Sequence, residues 1–193
     1  MSLAQLAGWS ALVAAAATAV GMVSLFLFFN VGGRWGRLND ASSVVLMLAL
    51  VPVAVALAAI ESATVTTIAV AVAALGIVGM LAAAVFQAML IAGRGTFEGL
   101  KNRTLGASAL VGVWYVLAGF LALTTDIPQP LAISAIVAGV GLLMVSSGFV
   151  VGGERHPAST IGGALALAGS VAFLGGFGVL LLTGRLVVPE WNI

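Results

Sequence analysis

Long apolar runs broken by short polar interruptions set the rhythm of this chain. The runs cover about residues 6–31, 42–60, 65–92, 105–123, 131–151 and 161–182. Each reaches or approaches the ~20 apolar residues that carry an α-helix across the hydrocarbon core of a bilayer. None alternates polar with apolar positions in ~10-residue segments, as a membrane barrel strand does. The runs are apolar all round, and lipid supplies no partner for an open backbone, so helices are predicted. The expected fold is all-α: one membrane-embedded bundle over residues 1–193 with six spans.

The interruptions supply the topology. The first, third and fifth run end in glycine followed by arginine, at Val31-Gly32-Gly33-Arg34, Ala92-Gly93-Arg94 and Val151-Gly152-Gly153-Glu154-Arg155. These arginines fall about sixty residues apart, a spacing that suggests an internal repeat of three helical hairpins. A shift of 120 residues also superposes Val20, Gly21, Phe29, Val31, Gly32 and Gly33 on Val140, Gly141, Phe149, Val151, Gly152 and Gly153. Helix-end chemistry alone explains such matches equally well. The connections are read as 32–41, 61–64, 93–104, 124–130 and 152–160, with helix starts at Asp40-Ala41-Ser42-Ser43 and Pro157-Ala158-Ser159-Thr160, whose hydroxyls can cap free N–H groups.

Charge then orients the bundle. Six of the seven basic residues, Arg34, Arg37, Arg94, Lys101, Arg103 and Arg155, lie in the first, third and fifth connections, and only Arg185 lies opposite. Basic short loops stay in the cytoplasm, which predicts both termini outside. The first run is too long for a signal-peptide core and lacks a basic leader, so it is read as a retained span.

Composition fits a lipid solvent. Hydrophobic residues make up 62% and charged residues 7% of the 193 positions, with a mean hydropathy of +1.25. A water-soluble surface needs a charged fraction of roughly 25%. The net charge of +1 argues against a nucleic-acid partner. With no cysteine and one histidine, the chain has no disulfide framework, no bis-His haem site and no metal-ligand cluster. No cofactor is expected. The expected partner is the lipid bilayer, with other membrane subunits or a second copy as further possibilities.

Small residues predict where helices touch. Gly112 and Gly119, Gly141 and Gly148, and Gly162, Gly169 and Gly176 each recur every seventh residue. Seven residues is nearly two turns, so each set forms one stripe, and small stripes let helices approach closely in lipid. The fourth, fifth and sixth helices are expected to pack through them. Pro52 removes one hydrogen bond from the second helix and predicts a kink.

Candidate chemistry is sparse. Glu61, Asp126 and Glu190 are expected as solvated acids on the outer face, Glu61 at the end of the second helix. Gln87 is placed ~10 Å inside the cytoplasmic boundary, seven residues before Arg94. Asn30 sits at a similar level on the first helix. A buried amide needs a partner, so helix–helix bonding is the plainer reading of both and a ligand contact the sharper one. Ser24, Ser146 and Ser147 could join that network or bond back to their own helices. Trp9, Trp35 and Trp191 read as interfacial anchors, whereas Trp114-Tyr115 lies deeper and either packs or lines a cavity. The speculative binding residues are therefore Asn30, Gln87, Glu61 and Trp114, with no catalytic residue and no metal ligand.

The segments Leu100-Lys101-Asn102-Arg103-Thr104-Leu105-Gly106, His156-Pro157 and Arg37-Leu38-Asn39-Asp40 resemble an uncharacterised bacterial family of small multi-span membrane proteins. The resemblance implies a multi-pass protein of a bacterial inner or plasma membrane and carries no activity or site residue. Three roles are open: a non-catalytic accessory or assembly subunit, favoured by the lack of intramembrane charge; a transporter or channel for a small neutral or apolar solute, which needs a cavity near Pro52, Gln87 and Asn30; and, last, an enzyme acting on lipid, for which no convergent acid, base or metal set is visible.

Overall fold

The structure is a computed structural model that describes residues 1–189, with Ala63 described by its backbone alone. Among those residues every regular element is helical. Six helices are long and apolar enough to cross a membrane: α1 (Leu3–Val31), α2 (Trp35–Ser62), α3 (Thr64–Ile91), α4 (Phe97–Ala122), α5 (Gln129–Gly152) and α6 (Pro157–Leu182). The chain is an all-α, six-span membrane bundle.

All six helices begin earlier than their apolar runs, and polar side chains cap three of them. Ser2 accepts from the N–H of Gln5 while the Gln5 side chain accepts from the N–H of Ser2, a reciprocal pair that starts α1 at Leu3. Thr96 accepts from the Gly99 N–H, so α4 starts at Phe97 and takes Lys101 and Arg103 into its first turns. Asp40-Ala41-Ser42-Ser43 is not a helix start. Helix α2 already begins at Trp35, and the Ser42 hydroxyl donates back to Leu38 O at 2.9 Å. At α6 the cap is His156, whose Nδ1 accepts from the Ala158 N–H, and the Ser159 hydroxyl donates to Gly153 O.

The polar stretch 61–64 is not a loop. Helical structure runs through it and breaks at Val65 (φ −147°, ψ 78°), where α2 turns into α3. Both ends of this bent pair line the same cavity, Arg37 and Ser43 from α2 and Gln87 and Leu90 from α3, so its legs are antiparallel. Pro52 does not interrupt the helical backbone angles. Its missing N–H leaves one carbonyl without its helical donor, and the change of direction falls thirteen residues later.

The helices pack in chain order, and α6 closes the circuit on α1. Glycine sits at close approaches between these helices. A Cβ on Gly141 would meet the backbone N of Ala166, and one on Gly162 would come within 2.7 Å of Gly141 O. Gly169 lies against Ala138 and Ser134 in the same way, Gly112 against Gly139, and Gly119 against Ala132. The predicted stripes therefore join α4 to α5 and α5 to α6 within one chain. The closing contact sets Gly8 of α1 against Gly178 of α6, where a Cβ on Gly178 would lie 2.9 Å from Gly8 O. Contacts this close maximise dispersion, which holds helices together where lipid competes for every apolar surface.

The basic turns gather at one end of the bundle. Gly32, Gly33, Gly93 and Gly153 there take positive φ values, which glycine adopts without the steric cost of a Cβ. Gly32 and Gly153 share the same cap angles (φ 75°, ψ −159°), one residue out of the 120-residue register. Phe29 and Phe149, matched by that register, touch each other with ring centroids 6.2 Å apart.

Candidate functional site

The circuit of helices buries Ala118 and Ala122 of α4, Ala132 and Ala135 of α5, and Phe177 and Leu181 of α6 in its half away from the basic turns. Its other half encloses a cavity of about 530 Å³ to which all six helices contribute. Gly33, Arg37, Gly95 and Phe97 line it at the level of the basic turns, so the mouth lies on that side. Cavities of this size hold a small organic molecule.

The floor is aromatic. Tyr115 lines the cavity, packs on Trp114 at 4.6 Å and meets Phe173 edge-on at 5.9 Å. Phe173 then stacks on Phe177 at 5.4 Å, farther from the basic turns. Aromatic pairs of this kind each add about 0.5–1.5 kcal/mol beyond their buried area. Trp114 itself is held behind the wall, its ring filling the notch left by Gly76 of α3.

Helix α4 supplies one wall through Thr104, Ser108, Val111 and Tyr115. Their spacing of four, three and four residues keeps them on one helical face. Gln87 comes from α3, Ser146 from α5 and Ser170 from α6, with apolar side chains such as Met47, Leu142 and Val145 between them. Arg37 and Asp40 are the charged lining residues, and they belong to the first turns of α2, near the mouth.

The hydrogen-bond pattern singles out four of these groups. Gln87 Oε1, Thr104 Oγ1 and Ser146 Oγ are buried side-chain atoms with no hydrogen-bond partner, the buried Tyr115 OH has the Ser170 hydroxyl beside it, and all five residues line the cavity. Tyr115 is 2% exposed, and Thr104 and Ser146 are 7% exposed. A buried polar atom without a partner costs about 1–3 kcal/mol. These oxygens belong to lining residues but are themselves shut off from the cavity, whose surface is mainly apolar.

The residues singled out in the sequence divide accordingly. Gln87 lies in the site. Trp114 supports it from behind. Asn30 does neither: its side chain is exposed, and its Nδ2 donates to Phe26 O of its own helix at 2.7 Å. Glu61 is not a solvated loop acid. It lies within the helical stretch at the far end of α2, only 3% exposed, with Oε1 unpartnered and outside the cavity lining. Ser147 bonds back to Met144 O, whereas its neighbour Ser146 faces the site. Trp9 is exposed as an anchor requires, Trp35 carries Arg34 over its ring at 5.5 Å, and Trp191 and Glu190 lie outside the described residues. Thr104, Ser108 and Ser170 were not among the sequence candidates, although Thr104 and Ser108 share a helically spaced polar stripe on α4 with Tyr115, which the sequence offered with Trp114 as packing or lining a cavity.

The chain matches no family model, no curated protein and no solved structure.

Proposed function

We propose that this membrane protein carries a small uncharged solute, with its binding cavity open toward the basic turns and hence, by the positive-inside rule, toward the cytoplasm of a bacterial inner membrane. One observation carries the reading: a cavity of about 530 Å³ built from all six helices reaches the level of the basic turns and ends at the aromatic floor around Tyr115. A through-going channel needs no such floor. A purely structural accessory or assembly subunit, which composition alone favours, has no use for a cavity of this size. Alternating access requires a site reachable from one side and closed from the other, and this geometry is one such state.

The chain contains no cysteine, so single cysteines report without background. In oriented vesicles, Ser170→Cys at the floor should react quickly with a membrane-impermeant thiosulfonate added on the basic-turn side. From the opposite side it should react slowly but measurably, as the minor, reversed state opens. Reaction from one side only would support a static binding or accessory protein. Equal rates from both sides would support a channel.

A further inference from the structure

We infer that the cavity takes an apolar molecule dissolved in the membrane, which enters sideways between α1 and α5 past Phe29 and Phe149; the inference rests on the cavity being a substrate site. The lining offers a guest little to hydrogen-bond. Gln87 Oε1, Thr104 Oγ1 and Ser146 Oγ are shut off from the space, and at the floor the Tyr115 OH has the Ser170 hydroxyl beside it. Leu46 of α2 and Leu142 and Val145 of α5 line the space between. The charged lining residues, Arg37 and Asp40, stay near the mouth, in the first turns of α2. A polar solute would leave its groups unpaired against such a wall, at a cost for each, whereas an apolar one loses nothing.

The wall is weakest along the last turns of α1. That helix has buried residues at intervals from Ala7 to Ser24 and none beyond. It is fastened to α6 at the far end, where Gly8 meets Gly178. Toward the mouth, a Cβ on Gly163 of α6 would meet, among the described residues, only the Met22 Cε, the tip of a flexible side chain. Phe29 and Phe149 span the gap between α1 and α5, ring to ring at 6.2 Å, and both line the cavity. Each also stands at the outer edge of its helix. Phe26, one turn before Phe29, is 67% exposed, Val150, next to Phe149, is 64% exposed, and neither lines the cavity. In a bilayer these exposed apolar faces meet lipid tails, so the ring pair lies between the cavity and the membrane. Such a pair opens by rotation of a side chain, a fast motion for a partly exposed residue, without parting two packed helices.

The test uses the protein in liposomes with Ser108→Cys, a cavity-lining position, as reporter. One reagent is an impermeant thiosulfonate added on the basic-turn side. The other is a long-chain alkyl maleimide dissolved in the bilayer. Both should react. Phe29→Ala and Phe149→Ala should each raise the ratio of the maleimide rate to the thiosulfonate rate by about two- to tenfold, the worth of one aromatic pair. Neither side chain is fully buried, so both variants keep the core. Dodecane dissolved in the same membranes should slow the thiosulfonate, and glycerol in the surrounding water should not. An unchanged ratio in Phe29→Ala or in Phe149→Ala, a thiol that only the thiosulfonate reaches, or a thiosulfonate rate that dodecane slows no more than glycerol does would overturn the inference and leave the cavity reading standing. A thiol that neither reagent reaches would overturn both.

Discussion

At the residue scale, burial and partnering decide what a polar group does. Glu61 is one of six acids in the chain, and it is buried without a partner for Oε1. Replacing a buried, unsatisfied group by an apolar one of similar shape removes a desolvation penalty. Glu61→Met should therefore raise the thermal stability of the purified protein by about 1–3 kcal/mol, read from unfolding in detergent; a lower midpoint would show that the carboxyl is satisfied. Asn30→Ala should change little, since the amide is exposed and bonded only to its own helix. The sequence could not separate these cases. An acid beside Ser62 and Thr64 looks like a loop residue, and only the continuation of helix through it brings it inside. Thr104 was hidden in the same manner. Read as the end of a connection, it could not be joined to Ser108 and Tyr115 as one stripe, and that stripe is the clearest trace of the site in the chain.

At the scale of elements, glycine and one irregular residue set the architecture. Gly141 sits where a Cβ would meet the backbone of α6, and Gly106 where it would meet nothing within 4 Å. Gly141→Ala should lower stability by about 1–3 kcal/mol through overpacking. Gly106→Ala should leave it unchanged or raise it by up to ~1 kcal/mol through helix propensity. Paired melting curves check both, and equal effects would remove close packing as the cause. The bend at Val65 has a φ of −147° that proline cannot adopt. Val65→Pro should cost about 3 kcal/mol or more, whereas proline is already accommodated at position 52. The six spans were legible because lipid imposes both length and composition on a crossing helix. Helix starts were less so, since Ser2, Thr96 and His156 extend helices into polar residues that a hydropathy reading assigns to loops. The glycine stripes were legible in full, because close approach leaves only the smallest residue a choice.

At the scale of the whole molecule, the chain builds a circuit of six helices with a cavity on the side of the basic turns, floored by Tyr115 with Phe173 and Phe177 behind it. Nothing in the apolar runs announces that circuit, because the closing contact between α1 and α6 joins the two ends of the sequence and rests on Gly8 and Gly178. A cavity that reaches one side and ends at Tyr115 is the feature on which a solute-carrying role depends, and α4 runs past it from end to end. A cysteine scan along α4, with an impermeant thiol reagent added on the basic-turn side, tests it most directly. The account predicts modification at Thr104, Ser108 and Val111, and none at Ala118 or Ala122. Uniform silence along the helix, or modification that continues past Tyr115 to Ala122, would contradict it.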